Sequence, residues 1–101
     1  GSHELILLKL LSRRDMYGYQ LIQEMTILSE NGFSMSQGSL YPFLHALEEK
    51  KYISSYTTTE NGRERRYYHL TTAGSAALED KEEQWGHYVR AMGRILGGEP
   101  T

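Results

Sequence analysis

A chain of 101 residues has room for one domain but only a small core, and at this size a partner subunit is a common source of added stability. With 39% apolar and 24% charged residues it is a folding rather than a disordered chain, and the lack of cysteine excludes disulfides and thiolate metal sites. A formal net charge of −2 excludes a uniformly basic nucleic-acid-binding surface, so any such surface must be local. Acidic residues gather at Glu79, Asp80, Glu82 and Glu83, whereas Arg63, Arg65 and Arg66 sit together. Charges act over a screening length of about 8–10 Å in salt, so the arginine cluster is felt locally whatever the chain total. No apolar run is long enough to span a bilayer and no secretory leader pattern opens the chain, which leads us to expect a cytoplasmic protein. Gly1-Ser2-His3 has the form of a tag remnant (residues 1–3), and His3 carries no expectation.

In chain order, Glu4 to Leu11 is apolar nearly all round, which predicts a helix buried on more than one side. Ser12 to Asp15 reads as a charged loop, with Asp15 the N-cap of a second helix from Tyr17 to Leu28. Leu21, Met25 and Leu28 mark its inner face with Ile22 beside them, and Gly18 in its first turn predicts the close approach of another backbone. Asn31-Gly32 signals a turn.

The stretch from Ser36 to Ile53 organises the chain. Leu40, Phe43, Leu44 and Leu47 have the spacing of one buried helix face, which leaves Gln37, Gly38, Tyr41, His45 and Glu48 on the other side. Either Ser36 or Ser39 caps this third helix. With Ser36 as the cap, Pro42 interrupts the hydrogen-bond ladder at a cost of about 3 kcal/mol; with Ser39, it falls in the first turn, where no donor is needed. A kink or a tight opening turn is expected near Ser39.

Tyr52 to Thr59 is rich in β-branched and aromatic residues, and Arg66 to Leu70 answers it across Glu60-Asn61-Gly62-Arg63, the pattern of a β-hairpin. Thr71 or Thr72 then caps a last helix from Ala73 to about Leu96. That helix spaces Leu78, Trp85 and Met92 by sevens, with Tyr88, Val89, Ile95 and Leu96 alongside and Lys81 breaking the stripe. Residues 4–72 are thus read as a winged helix-turn-helix domain, 73–97 as a dimerisation helix and 98–101 as a flexible tail. The fold class is mostly α with a β-hairpin.

The strings Tyr17-Gly18-Tyr19-Gln20-Leu21, Gly38-Ser39-Leu40-Tyr41-Pro42-Phe43-Leu44, Leu47-Glu48, Tyr52-Ile53-Ser54-Ser55, Gly62-Arg63, Arg65-Arg66-Tyr67-Tyr68, Leu70-Thr71 and Gly74 together resemble the PadR family of bacterial transcriptional regulators. They cover about residues 5 to 78 and are specific in combination. The short last helix resembles the family's small branch, some of whose members bind flat aromatic compounds between two such helices. Two departures stand out. Lys51 occupies a position where the family usually has glycine, so a left-handed helix cap is made here by a non-glycine. Ala46 stands where a basic residue is frequent.

A small, hydrogen-bonding helix start followed by a basic hairpin is how a winged helix-turn-helix reads DNA, and the resemblance strengthens that reading. The expected DNA contacts are Ser36, Gln37, Gly38, Ser39, Tyr41, Pro42, His45, Arg63 and Arg65. Gln37 is the best candidate for a base contact, because glutamine pairs bidentately with adenine, and Tyr41 for a phosphate. Strand alternation puts Arg63 and Arg65 on one side of the hairpin and Arg66 on the other, where an ion pair with Glu48 would orient the wing. Leu78, Trp85, Tyr88, Val89, Met92 and Ile95 are the expected dimer surface, with Trp85 alternatively stacking on a small planar aromatic ligand. His45, His69 and His87 lack zinc-ligand spacing, and Ser39 lacks a nucleophile elbow, so neither a metal, a cofactor nor an enzyme is expected. The expected function is a homodimeric DNA-binding regulator of transcription, a repressor on a pseudo-palindromic operator. The alternative is a winged helix used for protein contacts.

Overall fold

The computed structural model describes residues 2–97. The element order is α1 (Ser2–Leu11), β1 (Met16–Tyr17), α2 (Gly18–Leu28), α3 (Gln37–Glu49), β2 (Ile53–Glu60), β3 (Arg63–Leu70) and α4 (Thr72–Leu96). The three strands form one antiparallel sheet in the order β1-β3-β2. Helix α1 begins at Ser2, two residues before the expected start at Glu4, and the His3 ring lies 5.2 Å from that of Phe43.

Leucine fills the core. Leu7, Leu8, Leu10 and Leu11 of α1, Leu21 and Met25 of α2, and Leu40, Leu44 and Leu47 of α3 are buried together with Met16, Ile53, Tyr68 and Leu78. Helix α1 is wrapped by α2, α3, β3 and α4 of its own chain, which is why it can be apolar nearly all round. Leu28 departs from the expected inner face of α2. It is 52% exposed, because α2 runs past the edge of the core by its last turn.

Helix α3 is capped by Ser36, whose Oγ accepts from the Ser39 amide at 3.2 Å. Pro42 therefore lies inside the helix. The amide it lacks would have bonded the Gly38 carbonyl, and Gly38 is exposed, so water can satisfy that acceptor. The opening turn is tight as expected, since the Ser39 and Leu40 amides both donate to the Ser36 carbonyl at 3.2 and 2.9 Å. At the other end Lys51 has φ 67°, the Lys51 amide donates to Glu48 and the Tyr52 amide to Leu47. That pair of bonds is a Schellman cap made with a lysine, and it turns the chain directly into β2.

Hairpin β2–β3 closes on Asn61 and Gly62, with φ of 52° and 75°, and Glu60 pairs Arg63. Positive φ at both central residues gives the turn a twist that matches the strands. The short β1 was not legible as a strand. Met16 and Tyr17 pair with Tyr68 and Tyr67 on β3 and hold the base of the hairpin. Because the chain enters α2 through this strand, Tyr17 rather than Asp15 is its N-cap residue, with the Tyr17 amide donating to Gln20 Oε1 at 3.1 Å. Helix α4 is capped by Thr71, whose Oγ accepts from the Gly74 amide at 3.0 Å and donates to the Lys51 carbonyl at 2.7 Å. It ends at Gly97 with φ 77°. The tail read over 98–101 lies outside the described residues.

Candidate nucleic-acid interface

The outward side of α3 is polar and open at its start. Ser36, Gln37, Gly38, Ser39, Pro42 and His45 are all exposed. Among them the Ser36 hydroxyl is occupied in capping and lies 3.2 Å from Ser39 Oγ. The amides of the first turn that have no intrahelical acceptor point along the helix axis, so this end is suited to accept phosphate or base oxygens.

Tyr41 differs from its expected outward placement. It is half-buried on the border of that face, turned toward α2. A Cβ added to Gly18 would lie 2.7 Å from the Tyr41 hydroxyl oxygen, so Gly18 makes room for a side chain and not for a backbone. The glycine thus lets the two helices of the helix-turn-helix sit close.

Arg63 stands next to the hairpin turn, exposed and without an ion pair among the described residues. Arg65 points to the same side but is partly committed. Its guanidinium lies 4.4 Å from the Tyr17 ring centroid, and its Nε is 3.7 Å from Glu60. Around it the outer face of the sheet carries an aromatic cluster in which Tyr67 packs edge-on against Tyr17 and stacks on Tyr56. Asp15 closes the cluster by accepting from Tyr56 Oη at 2.6 Å and pairing with His69 at 2.9 Å. Burial pushes the Asp15 carboxyl up, but these two bonds outweigh it and hold it below its usual range. The bond to Asp15 in turn pushes the Tyr56 phenol up to about 12.

On the inner face the expected Glu48–Arg66 ion pair is replaced by an indirect link. Arg66 donates to Ser55 Oγ at 2.7 Å, and Ser55 Oγ donates to Glu48 at 2.8 Å. Arg66 pairs across the ribbon with Thr57, two residues nearer the wing tip than Ser55, and Ser55 bridges it to Glu48. Strand alternation sets Ser55 on the face of Ile53 and Ser54 on the other, but nothing in the sequence pattern linked Ser55 to Arg66 and Glu48.

The apolar stripe of α4 divides into two parts. Leu78 is 5% exposed and belongs to the chain's own core, so its expected place on an outward stripe does not hold. Trp85, Tyr88, Val89, Met92, Ile95 and Leu96 remain exposed, and Trp85 stacks on Tyr88 at 5.5 Å. Trp85 also borders a shallow apolar groove with Leu5, Ile6, Leu10, Leu28 and Phe33. Lys81 interrupts the stripe because it serves another contact. Its Nζ lies 3.3 Å from Glu4, which also receives Lys50 at 3.0 Å.

Three helices with a capped, polar third helix and a basic two-stranded wing define the winged helix-turn-helix class. A sequence profile of the transcriptional regulator PadR-like family matches residues 7–80. The chain belongs to the PadR-like family of transcriptional regulators, whose members bind DNA and are not enzymes. It is 38% identical over 85 residues to the transcriptional regulator Rv3488 of Mycobacterium tuberculosis, covering 84% of this chain and 74% of that one. The fold is similar to a PadR family transcription regulator from Clostridium difficile R20291, with TM-score 0.84 and 28% identity over 95% of this chain and 99% of the other. It is also similar to the PadR-like regulator BC4206 of Bacillus cereus, with TM-score 0.83 and 30% identity over 96% and 93%.

Proposed function

We propose that the protein is a homodimeric, sequence-specific DNA-binding repressor acting in the cytoplasm. The observation that carries the reading is the pairing of two exposed features, the open first turns of α3 and Arg63, which stands beside the hairpin turn and has no ion pair among the described residues. The first suits the edges of bases in a major groove, the second the flanking phosphates or minor groove. Gln37 is the residue for a base contact. Ser39, Gly38, Pro42 and His45 line the groove beside it, while Ser36 and Tyr41 act chiefly by setting the helix. Arg65 contributes from beside Tyr17.

Support for a homodimer comes from α4. Six large apolar side chains are left exposed on one helix, beside a groove between α1, α2 and α4. A second copy, related by a two-fold axis, would cover the stripe and the groove together and bring two recognition helices to successive major grooves. Trp85 and Tyr88 would then form the walls of a slot near the axis, suited to a planar aromatic effector that releases the operator.

Selection of bound duplexes from a random pool at two salt concentrations tests the reading. A pseudo-palindrome with half-sites about one helical turn apart is expected. No enriched site at either salt would sink it and would direct attention to protein contacts.

A further inference from the structure

Beyond the pairing with β1 at Tyr67 and Tyr68, the wing projects as a two-stranded ribbon whose tip carries Arg63. A ribbon held only at its base is a lever. From Ser55 to Asn61 is six residues, or about 20 Å at about 3.3 Å each, so a tilt of about 10° moves the tip by about 3.5 Å. That displacement exceeds the whole range of a hydrogen bond. Something at the root of the wing must therefore set its pitch against α3.

Two neighbouring arginines are drawn to opposite faces of the ribbon at this root. On the outer face Arg65 lies over Tyr17 of β1. On the inner face Arg66 donates to Ser55 Oγ, and Ser55 donates to Glu48 in the last turn of α3. A hydroxyl has one proton, so donating it to Glu48 leaves the lone pairs directed at Arg66. Both bonds involve a charged partner, the stronger kind. The carboxylate also bears on the core, since burial first and then the nearby Glu48 and Tyr41 push the Tyr68 phenol up while Arg66 opposes them.

We propose that Ser55 is a positioning residue for DNA recognition, the joint through which Arg66 and Glu48 lock the wing at a set angle to the recognition helix. The inference rests on the DNA-binding reading above and deepens it. The wing then acts on the same half-site as α3 only while the joint is closed.

The test uses the full chain and the duplex its own selection yields. Ser55→Ala removes both bonds of the joint and should weaken binding to that duplex at least about tenfold, since a single hydrogen bond to a charged group already has that size. It should also lose hydroxyl-radical protection at the flanking positions touched by the wing while keeping the base preference of α3. Ser55→Thr, which keeps the hydroxyl, should restore both. Ser55→Ala combined with Arg66→Ala should be no weaker than either alone. Unchanged flank protection in Ser55→Ala, or losses that add in the double variant, would overturn the proposal. If Ser55→Ala does not fold, Arg66→Gln and Glu48→Gln form the same cycle, with additive losses again overturning it. Residual dipolar couplings of the wing amides, measured without DNA, separate the two readings. A reoriented wing in Ser55→Ala with no duplex selected by the wild type would refute DNA binding but not the joint, and unchanged couplings would refute the joint.

Discussion

Replacing Trp85 by alanine is the sharpest probe of the proposed dimer. Trp85 is 50% exposed and stacked on Tyr88, so it offers about 100 Å² of apolar surface, half of what a tryptophan of 150–250 Å² can bury. A two-fold contact uses it twice, which removes about 200 Å² from the interface of the variant. At about 25 cal/mol/Å² the loss is about 5 kcal/mol, or three to four powers of ten in the dimer dissociation constant. The six exposed side chains at about 100 Å² each bury about 1,200 Å² over both copies, the lower edge of a specific interface. An interface that small tolerates little loss, and Trp85→Ala should be monomeric in sedimentation equilibrium at concentrations where the wild type is dimeric. Trp85 stacks on Tyr88 and borders the groove beside α1, outside the main core, so the variant's far-UV circular dichroism should change far less than its self-association, while its melting temperature should fall with loss of the dimer. A dissociation constant within about threefold of the wild type would show that the stripe is not the interface.

Further outcomes follow from the geometry. Gln37→Ala should relax base preference at one position per half-site at a cost of about 1–3 kcal/mol, whereas Arg63→Ala should weaken all duplexes alike and lower the salt slope by about one. Equal losses of both variants on cognate and random DNA would refute that division. Gly74→Ala would bring a Cβ within 2.0 Å of the Tyr52 carbonyl oxygen, the acceptor of the Thr71 amide. Overpacking of about 1–3 kcal/mol plus about 1 for the strained bond, less about 1 for the better helix former, leaves a net loss of about 1–3 kcal/mol in urea denaturation. A variant as stable as the wild type would contradict it. Glu4 is pushed up by burial but held below its usual 4.5 by its bonds to Lys50 and Lys81. A lowered folded value means that its contribution is complete above the unfolded value and is lost as pH falls through the folded one. Glu4→Gln should therefore flatten the fall in melting temperature below about pH 4.5, and parallel curves for variant and wild type would refute the role.

Local chemistry determined much of this protein. Asn61-Gly62 specifies a tight hairpin turn because both residues tolerate positive φ, and both adopt it. The threes and fours of Leu40, Leu44 and Leu47 orient α3 whatever surrounds it, and Thr71 caps α4 through its own side chain. These features depend on neighbours a few residues away, so the chain carries them in its order.

Other features were decided only by the fold, because they join residues far apart in the chain. Strand β1 is two residues long, too short for any alternation, and exists because β3 offers it an edge. Asp15 meets Tyr56 and His69 across 41 and 54 positions instead of capping the helix beside it. Leu28 and Leu78 belong to similar helical stripes, yet one is exposed and the other buried, since Leu78 packs into the core cluster while Leu28 stands at the rim of the open groove beside α1. Periodicity identifies an apolar face but not how far along it the cover extends. Likewise the alternation of β3 separated Arg65 from Arg66, while the partner of each was settled by which element lay behind the strand: Tyr17 of β1 on one side, Ser55 and Glu48 on the other.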